Sequence, residues 1–347
     1  MTTEYRVGFV GCGGIAGYHA NAVRTFPQLK IVACADISQK AVDKFAETYG
    51  AQGKYLDFNE LFEKEKPDLA VICTWPPSHA PATIAAARNG VKGILCEKPM
   101  CRNLAEADAM IQVCGKNIKL AIGHQRRFSG GITEAKRLIA EGAIGKPTLI
   151  RRHGGGGLSN THTHSIDAVR YILGDPATDW VMGQVERRTD RYERSQQIED
   201  LCLAHIAFVG GARLTIESDM PVSDAPENTF IYGTDGILDA QDAKVRLLDS
   251  KAQGWQDVPV PKVDLAKAQI EEFLNWIEGK GGHRGEAKNA RAAMEIMMAV
   301  YESVRTKGLV RMPLQTRANP LDVMIEDGTL PVTNPGKYDI RIPGWLG

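Results

Sequence analysis

Along the first third of the chain, short runs of consecutive apolar residues alternate with stretches whose apolar positions recur every three or four residues. The runs fall at 6–10, 30–35, 69–73, 93–96 and 119–122, and the periodic stretches at 15–26, 39–49, 59–64, 78–89 and 104–114. A strand that is apolar on both faces has no solvent side, and helices lying between such strands supply both covers. The pattern predicts βαβ units and an α/β, doubly wound parallel sheet over residues 1–123. Past residue 123 the rhythm changes. Helical period returns at 132–140 and 164–173, a strand reads at 148–152, and four glycines in a row occupy 154–157. Strand-like runs at 180–185, 198–208, 213–218, 228–232 and 245–248 then follow one another without long helices, before two helical stretches at 265–278 and 286–306. Strands joined without crossover helices pair antiparallel. Residues 124–314 therefore read as an α+β domain with a large, mainly antiparallel sheet and helices on one face. The tail 315–347 is apolar and proline-punctuated, with Trp345 close to its end. Left in water it would expose aromatic and aliphatic side chains, so it is expected to dock on its own domain or on a neighbouring subunit.

Composition narrows the partners. Lys+Arg and Asp+Glu balance at 42 each, so no basic excess exists to hold a phosphate backbone, and nucleic acid is not an expected partner. Residues 1–14 carry an acid and then a short apolar stretch broken by glycines, which fits neither a signal peptide nor a membrane span. The seven cysteines form no CxxC pair, and several lie inside apolar runs such as 71–73. Reduced, buried thiols of a cytoplasmic protein are the expectation, without disulfides.

The first chemical signal is Gly11-Cys12-Gly13-Gly14-Ile15-Ala16, directly after the first strand and opening a helix. This is G-x-G-x-x-A in the setting that gives it meaning, a Rossmann strand–turn–helix. Gly11 permits the tight turn, Gly13 lets the backbone approach a pyrophosphate, and Ala16 allows close helix–strand packing. Gly14 and Ile15 begin the helix whose free N–H groups would meet the phosphates. Asp36 closes the second strand twenty residues after Ala16, where a carboxylate accepts from ribose hydroxyls. Ile37 and Ser38 follow, and no arginine stands ready for a 2′-phosphate, so NAD is favoured over NADP.

Two further strings carry a resemblance. Thr74-Trp75-Pro76-Pro77-Ser78-His79 follows one strand, and Cys96-Glu97-Lys98-Pro99 ends the next. With the glycine motif, they make residues 5–312 resemble the glucose–fructose oxidoreductase, inositol dehydrogenase and rhizopine catabolism family of oxidoreductases. The resemblance implies that Lys98 is catalytic, exchanging the proton of a substrate hydroxyl beside the nicotinamide. That role calls for an amine whose pKa is lowered by burial or by neighbouring positive charge. It further implies that Glu97 orients the cofactor ribose, that Pro99 fixes the exit of the chain, and that Thr74, Trp75, Pro76 and His79 line the cofactor site. Trp75 either stacks near the nicotinamide or packs against a helix; the sequence leaves both open. Gln125, in the Gly123-His124-Gln125-Arg126-Arg127-Phe128 junction, is expected to meet the nicotinamide ribose, and Arg127 the substrate or cofactor.

Another string is Gly157-Leu158-Ser159-Asn160-Thr161-His162-Thr163-His164-Ser165-Ile166-Asp167. Matched to the family's G-x-L-x-D-x-G-x-H-x-x-D, His164 takes the histidine position, Asp167 the downstream acid, and Asn160 the place of an aspartate. Four residues apart at a helix start, Asn160 and His164 share a face. An imidazole titrates near neutrality and suits acid–base or hydrogen-bonding work. Asn160 takes up no proton and only positions a hydroxyl, which leaves proton transfer to Lys98. Asp167 is read as structural or as orienting His164. Arg151, Arg152 and His153 end a strand, and one of them is expected to contact substrate. No H-E-x-x-H spacing is present, and hydride transfer needs no metal, so none is expected.

Several donors and acceptors aimed at one small molecule suit a polyhydroxylated substrate. The reading is an NAD-dependent sugar or polyol dehydrogenase working as a homodimer or homotetramer. The alternative is an NAD-dependent glycoside hydrolase acting by transient oxidation and elimination. Asp36 tests the cofactor assignment. Asp36→Ala should weaken NAD binding, and Asp36→Ala with Ile37→Arg should shift preference toward NADP, because guanidinium pairs with the 2′-phosphate that a carboxylate repels. Titration with both cofactors checks this, and an unmodified protein that already prefers NADP would refute it.

Overall fold

The computed structural model describes residues 3–220, 228–250 and 254–339. The chain divides into two compact units, Met1–Gln125 with Asp264–Arg291, and Arg126–Val263 with Ala292–Gly347.

In the first unit six strands form one sheet: β1 (Tyr5–Val10), β2 (Leu29–Ala35), β3 (Gly53–Tyr55), β4 (Leu69–Ile72), β5 (Gly93–Cys96) and β6 (Lys119–Ile122). They lie in the order β3-β2-β1-β4-β5-β6, and every pair is parallel. Five match the apolar runs; β3 does not, because three partly exposed residues at a sheet edge leave no apolar run to read. Helices α1 (Gly14–Val23), α2 (Gln39–Tyr49), α3 (Phe58–Glu65), α4 (His79–Arg88) and α5 (Leu104–Cys114) connect them. The strand order reverses between β1 and β4, the point where doubly wound sheets open a ligand crevice at their carboxyl ends. Local signals set the helix limits. Ser38 caps α2 by accepting from the Ala41 N–H, and Gly50 ends it at φ 78°, a conformation glycine adopts without strain.

Residues 264–291 return to this unit from far along the chain. Helix α8 (Leu265–Ile277) turns Ala266, Ile270, Phe273 and Leu274 into the same core as Phe9 and Val23. The three- and four-residue spacing of those positions makes one apolar stripe, and the stripe has to be covered.

The second unit is built on a nine-stranded sheet. Its strands are β7 (Pro147–Gly154), β8 (Thr178–Glu186), β11 (Leu201–Phe208), β12 (Arg213–Ser218), β13 (Thr229–Gly233), β14 (Gly236–Ala240), β15 (Val245–Asp249), β16 (Gln256–Val258) and β17 (Val310–Arg311). The order is β16-β15-β14-β13-β7-β12-β11-β8-β17, with β7 and β12 parallel and the other pairs antiparallel. Burial alternates as period two requires: Cys202, Ala204 and Ile206 of β11 face inward, while Leu203 between them is 44% exposed and Met182 of β8 50%. Helices α6 (Gly130–Ala140), α7 (Thr163–Ile172) and the end of α9 (Ala287–Thr306) belong to this unit, and a six-residue π-helical turn, Gly157–His162, leads into α7.

A smaller three-stranded sheet joins β9 (Thr189–Glu193), β10 (Gln196–Gln197) and β18 (Asn334–Asp339). The tail thereby docks on its own unit: β18 runs parallel to β9, and the Arg187 guanidinium donates to the Leu330 carbonyl at 3.0 Å. Residues 340–347, Trp345 among them, lie outside the described residues. Helix α10 (Pro320–Glu326) buries Leu321 and Met324 completely. A leucine with no exposed surface contributes its transfer energy and fills space that cannot fully collapse. Leu321→Ala should therefore lower the free energy of unfolding by about 2–5 kcal/mol in urea titrations; a change below 0.5 kcal/mol would mean that the tail is not part of the cooperative fold.

Candidate functional site

At the carboxyl end of β1 the chain turns at Gly11 with φ 89°, and a Cβ there would lie 2.6 Å from the Cys73 carbonyl group. Only glycine fits: the turn requires a positive φ, and the backbone beyond β4 occupies the space of a side chain. Gly13 and Gly14 are the opposite case, since Cβ atoms built on them meet nothing within 4 Å. That open space lies at the start of α1, where no side chain caps the helix and the first turn carries no acid. An uncapped helix N-terminus offers free N–H groups and positive dipole to an anion. Ala16, one turn along, is fully buried.

Asp36 stands beside this loop. It accepts from the Cys12 N–H at 2.8 Å and from the Ser38 N–H at 2.9 Å, one bond on each oxygen. A carboxylate oxygen has two acceptor sites, so each keeps one for a hydroxyl. The following Ile37 is 95% exposed, an apolar side chain held in the open. At the end of β4 the Thr74 hydroxyl is buried without a hydrogen-bond partner, and Trp75 is 47% exposed. Open glycines, free helix N–H groups, a ribose-ready carboxylate and an orphaned hydroxyl together fit the adenosine diphosphate part of NAD.

One strand further, β5 delivers Glu97 and Lys98. Glu97 is 8% exposed and accepts from His19 of α1, Nε2 to Oε1 at 2.7 Å, and from the Lys98 backbone N–H at 3.2 Å. Burial alone would raise its pKa; the His19 bond, with Lys98, outweighs that and holds the carboxyl below its ordinary value. A Cβ at Gly123 would fall 2.6 Å from Glu97 Oε1, so the end of β6 closes in on the carboxylate. The Lys98–Pro99 peptide is cis. His79 is fully buried, with Nδ1 2.8 Å from the Pro99 carbonyl and Nε2 3.0 Å from the Thr74 carbonyl. It links two cofactor-side loops from behind, and burial lowers its pKa. Gln125 is half-buried just past β6.

In the second unit the π-helical turn carries Asn160 and His162, and His164 sits in the first turn of α7. Asn160 and His164 are half-buried while His162, between them, is fully buried. Single π turns inside helices recur at functional sites, where the extra residue re-aims side chains. Two acids absent from the sequence reading hold this turn. Asp219 accepts from the Gly156 and Gly157 N–H groups at 3.0 and 2.9 Å and from Arg191 at 2.8 Å. Glu199, fully buried and pushed upward in pKa by that burial, accepts from the Leu158 N–H at 2.6 Å and the Tyr301 hydroxyl at 2.7 Å. Nothing local marks these residues, because the partners named here are 28 to 102 positions away. Arg194, at the β9–β10 turn, reaches Asn160 Oδ1 at 3.4 Å.

Arg127, expected to meet the substrate or cofactor, lies in an ion-pair cluster. It is fully buried and donates to Asp167 at 2.7 and 2.8 Å and to Asp175 at 2.9 and 2.8 Å. A bidentate pair without water makes a strut, and it occupies Asp167 as well, which anchors α7. Arg152 is 3% exposed, and its Nε donates to the Ser165 hydroxyl at 3.0 Å. His153 lies 4.0 Å from Glu217 and keeps 22% of its side chain exposed. Among the described residues, no group of three His, Cys, Asp or Glu side chains is arranged to hold a metal ion. No helix among them is long and apolar enough to cross a membrane.

Comparison with known proteins agrees with this geometry. Residues 5–124 match the model of an oxidoreductase family with an NAD-binding Rossmann fold, and residues 148–239 match the GFO/IDH/MocA C-terminal domain. A myo-inositol 2-dehydrogenase of Thermotoga maritima is 30% identical over 185 residues, which are 49% of this chain and 55% of that protein. The aligned part thus spans about half the length of that relative. A scyllo-inositol 2-dehydrogenase (NAD(+)) of Bacillus subtilis is 27% identical over 298 residues, 80% of this chain and 86% of its own. Among solved structures, levoglucosan dehydrogenase in complex with NADH shares the fold with a TM-score of 0.79 at 21% identity, covering 90% of this chain and 100% of that one.

Acid acts on the buried histidine of the turn. Burial, and then the charge of Arg152, drives His162 from its ordinary 6.5 to about 4. Between these values the unfolded chain binds a proton that the folded chain refuses. Stability from this group is therefore complete above pH 6.5 and is lost as pH falls toward 4, by up to about 3 kcal/mol. Urea titrations across that window should show a shallower acid limb in His162→Leu than in the unmodified protein. Parallel limbs would refute the assignment.

Proposed function

The chain belongs to the GFO/IDH/MocA family of oxidoreductases, and on that premise we propose that it is an NAD-dependent dehydrogenase of a sugar, polyol or sugar derivative, acting in the cytoplasm. The observation that carries the reading is Lys98. It follows a buried, anchored carboxylate at the end of β5, in the sheet whose β1 end forms the dinucleotide cradle. The inositol dehydrogenases and levoglucosan dehydrogenase among its relatives support a polyhydroxylated substrate.

Bound NAD supplies the acceptor for the hydride. A carbinol carbon loses that hydride, its hydroxyl proton passes to the Lys98 amine, and a carbonyl remains; the amine then returns the proton to water. In the reverse direction the lysine ammonium donates. His164 and Asn160 hold further hydroxyls, His164 as donor or acceptor according to its protonation and Asn160 through its amide. His153 stands ready at the end of β7. Arg127 and Arg152 act through the packing of α7. The protein works as a homodimer or homotetramer, and the apolar side chains on the open face of the large sheet, Met182 and Leu203, support a second copy there. Light scattering reads that state directly.

Reduced-nicotinamide absorbance, followed with NAD and a panel of inositols, hexoses and glycosides, tests the reaction. Net NADH formation with one polyol is expected; cleavage of a glycoside without net NADH would replace the reading by a hydrolase. Lys98→Ala should leave NAD binding nearly intact and lower kcat by at least ~10²-fold, the scale for a lost general acid–base. His164→Ala should cost more activity than His162→Ala. Near-normal turnover of Lys98→Ala would remove that residue from the mechanism, and the reverse histidine ranking would overturn the assignment on α7.

A further inference from the structure

His19 has no part in the reaction as described, yet it is a polar side chain 1% exposed inside the first unit. It lies one turn beyond Ala16 on α1, the helix whose uncapped N-terminus faces the phosphate position. Its Nε2 is 2.7 Å from Glu97 Oε1, while its Nδ1 is buried without a hydrogen-bond partner. The ring is thus committed in one direction only. Glu97 Oε2 accepts the backbone N–H of Lys98 at 3.2 Å, and Oε1 lies against Gly123, where a Cβ would fall 2.6 Å from it. A continuous chain of bonds therefore runs from α1 through one carboxylate to the backbone of the lysine.

We propose that His19 is a positioning residue: by holding Glu97 it fixes the backbone of Lys98 relative to the helix that seats the dinucleotide. The inference rests on the assignment of Lys98 as the proton carrier. Without His19 the buried Glu97 charge loses its side-chain donor, and the carboxylate either turns away or takes up a proton. Either change loosens the bond that sets Lys98. A lysine misplaced by about 1 Å costs turnover on the order of 10²-fold, while the phosphate cradle remains intact.

The test is a cycle of His19→Ala, Lys98→Ala and the double variant, with His19→Gln as the rescue. His19→Ala should lower kcat by about 10²-fold and leave the NAD dissociation constant within a few-fold. His19→Gln, whose amide still reaches toward the carboxylate, should recover most of kcat. The double variant should turn over no more slowly than Lys98→Ala alone, since His19 acts only through that lysine. Losses that multiply in the double variant, or a glutamine variant no better than alanine, would overturn the proposal while leaving Lys98 in place. Near-normal turnover of Lys98→Ala by itself overturns both, and that single variant identifies the functional reading as the failure. If His19→Ala does not fold by circular dichroism, His19→Asn, whose amide is too short to span the gap, replaces it against His19→Gln.

Discussion

A carboxylate buried at the end of a parallel strand has to be compensated where it lies, because an unpaired charge away from water costs several kcal/mol. Glu97 meets that requirement with a histidine from α1 and a backbone N–H from its own neighbour, against a glycine that leaves it just enough room. Much of the first unit follows from this arrangement. Helix α1 must lie at a set depth on the sheet for His19 to reach. The chain must leave β5 in one direction, and β6 must end in Gly123. His79 secures the same loop from the other side by touching the carbonyls of Thr74 and Pro99. The dinucleotide cradle and the lysine are in this way parts of one hydrogen-bonded frame.

The second unit solves a similar problem with different residues. Four glycines in succession have little intrinsic preference for any conformation. Asp219 takes two of their N–H groups and Glu199 takes the N–H of Leu158, and between them the turn is held well enough to start a helix. The Arg127–Asp167–Asp175 cluster then ties the middle of that helix to the residues just past its end. The turn and the helix of the second unit therefore depend on acids and cations drawn from distant segments.

The sequence by itself determined the periodic features. Fully apolar strands with helices between them specify a doubly wound sheet, and a glycine-rich turn after the first strand specifies a phosphate cradle, because backbone geometry and helix N-termini are local properties. Strand β3 was missed because a three-residue edge strand makes no pattern, and the π-helical turn because no residue type signals it. What only the tertiary structure decided is which polar side chains face each other. His19 and Glu97 are 78 residues apart, Leu158 and Glu199 are 41, and Arg127 and Asp167 are 40. A lone histidine on a helix, or an arginine at a junction, looks the same in sequence whether it meets a substrate or a buried carboxylate. Burial and partner choice are set by packing among distant segments, so the reach of a side chain toward its partner is known only once the chain has folded.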